Sequence, residues 1–295
     1  MSRIRQPRTQ GSLGIIGATG LEIGPLRKRV ELIERERVGS SRFFRGRLYG
    51  KELIVAQSGV GYGCAADACM HMIERFSPLA ILSLGFAGSV DTNTKIGNLL
   101  LVTHLLWIKD MESLQVEETY TLDKGLIDIT SNLLNKHGVE FTMGRVLTVP
   151  HYVFKLDERH RIRRALKVKA VEMEGAATAS QTRKHGVPLM ALRLISDDMS
   201  TREIDYGMMV SPMGRPTLRG ALRFSLAHRG DLLEILRFGR QVRRLGTRLS
   251  RIGARIVEEI TFLPPDPVRE MDLHGFRKNE PDSFFRPTMM GNGDT

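Results

Sequence analysis

Acidic side chains stand in this sequence where carboxylates are costly. Glu172 and Glu174 flank one methionine in AVEMEGAATAS (170–180), at the end of a β-prone run and ahead of a block of small residues. Two apart in an extended chain, they point to the same face of a sheet. Asp197 and Asp198 close a second apolar run, RLISDD (193–198), with Arg193 inside it. Carboxylates at the ends of buried strands need partners. Taken alone, Asp197 and Asp198 read first as helix N-caps. Taken with VEMEG, they bring acids from two strand ends to one rim, and paired acids with one kept protonated do acid–base chemistry at neutral pH. Glu22, in GATGLEIG after the first strand, is either a first-turn helix acid favoured by the dipole or a third acid of the same site.

Two glycine-rich segments accompany these acids. QSGVGYG (57–63) lies between a strand and a helix, but Gly59, Gly61 and Gly63 do not meet the G-x-G-x-x-G fingerprint, which argues against a dinucleotide. LGFAGSVD (84–91) reads as a tight turn at the end of a buried strand, whose N–H groups would cradle an anion or a sugar hydroxyl. Open α/β sheets bind ligands at such strand ends. There is no HExxH, Walker loop or nucleophile elbow, and the histidines are scattered, so neither a metal nor a cofactor is expected. Cys64 and Cys69, five apart, match no redox or zinc spacing and read as small, buried, reduced thiols, in keeping with a cytoplasmic location.

The elements that must position these residues alternate between apolar runs and amphipathic stretches over residues 12–200, as in an α/β domain. Strands are expected over 12–18, 51–59, 79–90 and 187–198, the second in a hairpin with SRFFRGRLYG, and helices over 63–77 and 175–185. The expected organisation is a basic arm (1–11) that is no secretory signal, a catalytic domain (12–208), a basic helical extension (209–260) and an irregular tail (261–295). The extension reads as two or three helices broken near Gly230 and Gly246. The net charge of +11 gathers there, with arginines recurring from Arg215 to Arg255 against only Asp231 and Glu234. Such a stretch suits an anionic membrane surface, a subunit interface or a solvated face. Without interleaved aromatics for base stacking, nucleic acid is disfavoured.

Together GIIGATGLE, QSGVGYGCAADA, SLGFAGSVD, AVEMEGAATA and RLISD resemble, in order and spacing, the purine nucleoside phosphorylase/nucleosidase superfamily, closest in type to methylthioadenosine/S-adenosylhomocysteine nucleosidases, over residues 12–200. TGLE and the arginine-rich GRPTLRGALRF segment resemble the hopanoid-associated adenosylhopane nucleosidases. The resemblance implies a three-layer α/β sandwich with a mixed, partly closed central sheet, and a homo-oligomer. It implies hydrolysis of the N-glycosidic bond of a 5′-substituted adenosine, with phosphorolysis by phosphate as the alternative. Glu174 would accept hydrogen bonds from the ribose diol, with Met173 packing on the sugar. Asp197 would protonate purine N7, which calls for an acid buried beside other acids. Arg193 would steady the acidic rim, and Glu172 would orient the site or pair with an arginine. Gly85, Ala87 and Gly88 would line ribose and nucleophile, and His151, Tyr152 and Val153 would present backbone to the base. Glu22 stands nearest the position of the water-activating base. The sequence departs from the family at Phe86, where a polar residue is usual, and at Leu84, where the phosphorylases carry a phosphate-binding arginine. The hopanoid likeness would place the protein at the inner membrane face.

Overall fold

The structure is a computed structural model that describes residues 11–201 and 232–260. The basic arm up to residue 10, the arginines from Arg215 to Arg229, the expected break at Gly230 and the tail from 261 lie outside the described residues. The strands are β1 (Leu13–Gly17), β2 (Glu31–Val38), β3 (Ser41–Leu48), β4 (Lys51–Gln57), β5 (Ala80–Ser89), β6 (Leu99–Trp107), β7 (Glu118–Thr121), β8 (Thr142–Thr148), β9 (Ala170–Glu172) and β10 (Leu189–Asp197). The helices are α1 (Gly20–Arg27), α2 (Tyr62–Phe76), α3 (Lys124–Lys136), α4 (Leu156–Ala165), α5 (Gly175–Lys184) and α6 (Leu232–Glu259).

One mixed sheet runs β10-β6-β8-β9-β5-β1-β4-β3-β2, and β10 also pairs with β5. That extra pairing closes β5, β9, β8, β6 and β10 into a ring, while β1 to β4 continue outward as an open wing. The fold is therefore an α/β sandwich whose mixed sheet is partly closed into a barrel. β1, β5 and β10 read as unbroken apolar runs because parallel strands covered on both faces need them, and β1 and β10 are buried throughout. Helices α2 and α5 pack together on one side of the sheet, and α1 and α6 pack together against β5 on the other. At the wing's edge the pattern fails: β2 alternates acids and arginines and is mostly exposed. The β3–β4 turn is carried by Tyr49 and Gly50, both with positive φ (52° and 74°), one residue earlier than the expected Gly50–Lys51 joint.

The structure corrects two expectations. Residues 84–89 are no turn. β5 continues straight through them, paired with β10 as far as Gly88↔Asp197 and with β9 at Gly88↔Val171. Likewise α6 passes unbroken through Gly246. A Cβ there would stand 2.1 Å from the carbonyl oxygen of Leu21, so this glycine lets α6 lie against the backbone of α1 instead of ending a helix. Leu249, Ala254 and Val257 of α6 are fully buried, and α6 belongs to the same compact unit as the sheet.

Candidate active site

The acids gather in two clusters where β1, β5, β9 and β10 end, and the glycines of β5 make the space. A Cβ on Gly85 would lie 3.1 Å from Glu22 Oε1, and one on Gly88 2.7 Å from Asp197 Oδ2. The missing side chains let carboxylates reach a buried strand from two sides. These are glycines of close approach, which explains why a strand can carry a turn-like composition. Ala87, also buried, stands between them.

Glu22 serves both readings left open by the sequence. Its Oε2 accepts Thr19 N–H (2.6 Å) and Thr19 Oγ1 (3.0 Å), as in a capping box, while Oε1 accepts the N–H of Phe86 on β5 (2.9 Å). The residue is buried, and burial pushes its carboxyl above the usual range against the pull of those N–H groups.

Glu172 and Glu174 divide the labour at the β9–α5 junction. Glu172 Oε2 accepts the N–H of Gly175 (2.7 Å) and Glu174 (3.1 Å), satisfying the first turn of α5, and pairs with Arg193 Nη2 (3.0 Å). Its Oε1 takes the hydroxyl of Thr148. Arg193 is also held by Ser83 O and Oγ and by Leu192 O. This buried pair is fully hydrogen-bonded, the condition under which burial of charge is tolerated. Gly175 accommodates it, since a Cβ there would meet Leu105 at 2.6 Å and Glu172 Oε1 at 3.0 Å. The carboxylate of Glu174 accepts the N–H of Gly61 at 2.6 Å, presented by a backbone at φ 97° that favours glycine. Burial first, then the charges of Glu172 and Glu22, push Glu174 up to about 8. Glu22, Glu174, Gly85, Ser58 and Arg193 enclose a cavity of about 10 Å³, roughly the space that one water needs.

Asp197 sits on the far side of Gly88. A β-bulge at Ser196 breaks the register between Ile195 and Asp197, and bulges beside sites re-aim side chains. Gln241 of α6 donates to Ser196 O (2.9 Å), bracing the bulge. The expectation that Asp197 is buried beside other acids is corrected. Its Oδ1 accepts Ser196 Oγ (2.6 Å) and its Oδ2 forms a buried ion pair with Arg159 Nη2. Arg159 also donates to Val153 O (2.9 and 3.2 Å), Asp198 O (3.1 Å) and Ser89 O (3.3 Å). It thereby ties the 151–153 segment to the acid. Asp198 instead closes a local turn with Ser200 and accepts the N–H of Ile96 (3.3 Å), which is distant in sequence.

Met173 is half-buried against an apolar cluster that includes Val153, Val149 and Val90. Tyr152 is half-buried and stacks on Phe154. Phe86 turns towards α6, its ring 3.7 Å from where a Cβ on Gly246 would sit. The structure thus gathers Glu22, Glu174, Arg193 and Gly85 in one cluster, and Asp197, Val153 and Gly88 in a second across β5, with Tyr152 and Met173 at the margin of the second. Sequence reasoning missed Arg159, Thr148, Ser83 and the N–H of Gly61. The one legible signal was Arg159, which shares an i, i+3 face of α4 with buried Ile162. No group of residues suited to holding a metal ion occurs among the described residues.

The profile of the phosphorylase superfamily matches residues 12–207. The chain is 27% identical over 195 residues to the 5′-methylthioadenosine/S-adenosylhomocysteine nucleosidase of Staphylococcus epidermidis, covering 63% of this chain and 86% of that protein. Its fold is similar to that of futalosine hydrolase of Helicobacter pylori (TM-score 0.70, 22% identity, 86% of this chain and all of the other). It is also similar to a 5′-methylthioadenosine/S-adenosylhomocysteine nucleosidase of Neisseria meningitidis in complex with methylthio-immucillin-A (TM-score 0.66, 21% identity, 85% of this chain and all of the other).

Proposed function

The chain belongs to the phosphorylase superfamily, and from that premise we propose that it is a nucleosidase hydrolysing the N-glycosidic bond of a 5′-substituted adenosine. The observation that carries the reading is the cluster of Glu22 and Glu174 around Gly85, with Glu172 and Arg193 locked beneath it. Because Arg193 engages Glu172, Glu174 is left to face the ribose hydroxyls, and in its ionised form it accepts both as strong charge-assisted bonds. In that ionised form its negative charge beside the sugar favours an oxocarbenium-like transition state. Glu22, with its carboxyl raised by burial, is suited to take a proton from water, and the small polar cavity beside it is sized for that water.

Asp197 is assigned the proton given to purine N7, and Val153 and Tyr152 the edge of the base. In this reaction the Arg159 ion pair must part for Asp197 to be loaded, so Arg159 governs when the acid is available. Hydrolysis is favoured over phosphorolysis on charge: the lining of the inner cavity offers Arg193 as its sole cation, already engaged, beside two carboxylates. A phosphate dianion would find no free cation there.

The 5′ substituent is proposed to be large and apolar, of hopanoid type, on the resemblance of TGLE and the arginine-rich segment. A resting place on an anionic membrane surface is supported by α6, which buries Val242, Leu245 and Leu249 and exposes Arg240, Arg243 and Arg244. No helix among the described residues is long and apolar enough to cross a membrane. The test is a turnover screen of 5′-substituted adenosines, with and without phosphate, read as released adenine. Release without phosphate is expected. Release only with phosphate would make the protein a phosphorylase, and no release from any adenosine would overturn the proposal.

A further inference from the structure

Away from the carboxylates lies a second, larger cleft of about 810 Å³, between α1, the open wing of the sheet and α6. The cross-strand register puts Arg35, Arg37, Arg42, Phe44 and Gln57 on one face of the wing. Arg27 of α1, Lys28 at its C-cap and Arg243 of α6 complete the walls. Glu36 is the one acid in the lining, and it lies 3.5 Å from His71 and 3.9 Å from Arg75 of α2. None of the six cations forms an ion pair among the described residues. Arg27 instead lies over the ring of Phe44, 4.9 Å from its centroid.

The register itself carries a cost. Arg37 and Arg42 stand directly opposite each other on β2 and β3, an arrangement of like charges that destabilises a sheet. A bound polyanion would turn that repulsion into shared attraction. Arginine forks match phosphate oxygens in pairs, and the volume lies within the range of small-molecule sites. None of Glu22, Glu172, Glu174, Asp197 or Gly85 lines the cleft, so an anion held there is no nucleophile for the sugar.

We propose that this cleft is a binding site for a ligand carrying clustered phosphate groups, separate from the nucleoside site. The chemistry is shared by soluble polyphosphate esters and anionic lipid headgroups, and two arms tell them apart. In the first, the full chain is titrated with inorganic tripolyphosphate by calorimetry at low salt. In the second, it is mixed with phosphatidylcholine vesicles with and without phosphatidylglycerol. Binding is expected to weaken at least about tenfold in Arg37→Gln/Arg42→Gln, and likewise in Arg243→Gln from the opposite wall. Melting of the ligand-free double variant checks the fold, and its Tm is expected to equal or exceed that of the parent because a repulsion is gone. Tripolyphosphate binding lost in these variants assigns a soluble ligand. Vesicle binding alone, lost in the same variants, assigns a headgroup. Binding in neither arm, or binding that both variants leave unchanged, overturns the proposal. Neither readout depends on turnover, so the outcome stands apart from the nucleosidase reading.

Discussion

Replacing Glu174 with glutamine isolates the electrostatic state on which the site turns. An ordinary glutamate titrates near 4.5, whereas burial and the charges of Glu172 and Glu22 hold Glu174 at about 8 in the folded protein. Between those values the folded state carries a proton that the unfolded chain has lost. Its contribution to stability is therefore complete at pH 4.5, falls as pH rises, and is gone above pH 8. At about 1.4 kcal/mol for each unit of difference, the full swing is at most ~5 kcal/mol. Solvent reaching the half-buried residue screens part of it, which leaves roughly 2–4 kcal/mol. Glutamine keeps an oxygen for Gly61 N–H and never ionises, so the variant escapes this loss. Urea denaturation of both proteins from pH 5 to pH 9 measures it. The stability of Glu174→Gln relative to the parent is expected to rise by that amount across the range. A difference that stays flat, or that runs the opposite way, would refute the reasoning that Glu174 is an acid burdened by its neighbours.

Three further outcomes follow from the packing. Asp197→Asn should cut adenine release by about 10²- to 10⁴-fold, the usual worth of a positioned acid, while calorimetric binding of the nucleoside persists; a variant turning over at the parent rate removes Asp197 from the mechanism. Arg159→Leu strands a buried carboxylate and should cost ~3–5 kcal/mol in chemical denaturation, much of it recovered when Asp197→Asn is added; strict additivity would mean that the two residues do not act as a pair. Gly246→Ala reverses the usual helix rule: alanine normally gains about 1 kcal/mol over glycine inside a helix, but a Cβ 2.1 Å from Leu21 O should produce a net loss of roughly 1–3 kcal/mol, and a raised Tm would show that α1 and α6 part freely.

What was legible in the sequence followed from periodicity and from burial. Unbroken apolar runs marked β1, β5 and β10 because strands covered on both faces leave no room for alternation. Glu172, Glu174, Arg193 and Asp197 stood out because charge at the end of such a run needs an account. Glycine was misread twice, at 84–89 and at 246, for one physical reason. A missing side chain signals either backbone freedom or room for a neighbour, and composition alone does not separate them. At Gly85, Gly88 and Gly246 the neighbour is the answer: two carboxylates and the backbone of α1 occupy the space. The partner of Asp197 was hidden for another reason. Arg159 comes from α4, 38 positions away, and its helix is otherwise a run of charges whose buried face is marked by Ile162 alone besides the arginine itself. Long-range pairing of a buried charge leaves no local pattern, yet it decides how the acid is held. The chemistry legible in the sequence is a set of carboxylates; the division of that set into one locked on Arg193, two raised by burial and one paired with Arg159 belongs to the fold.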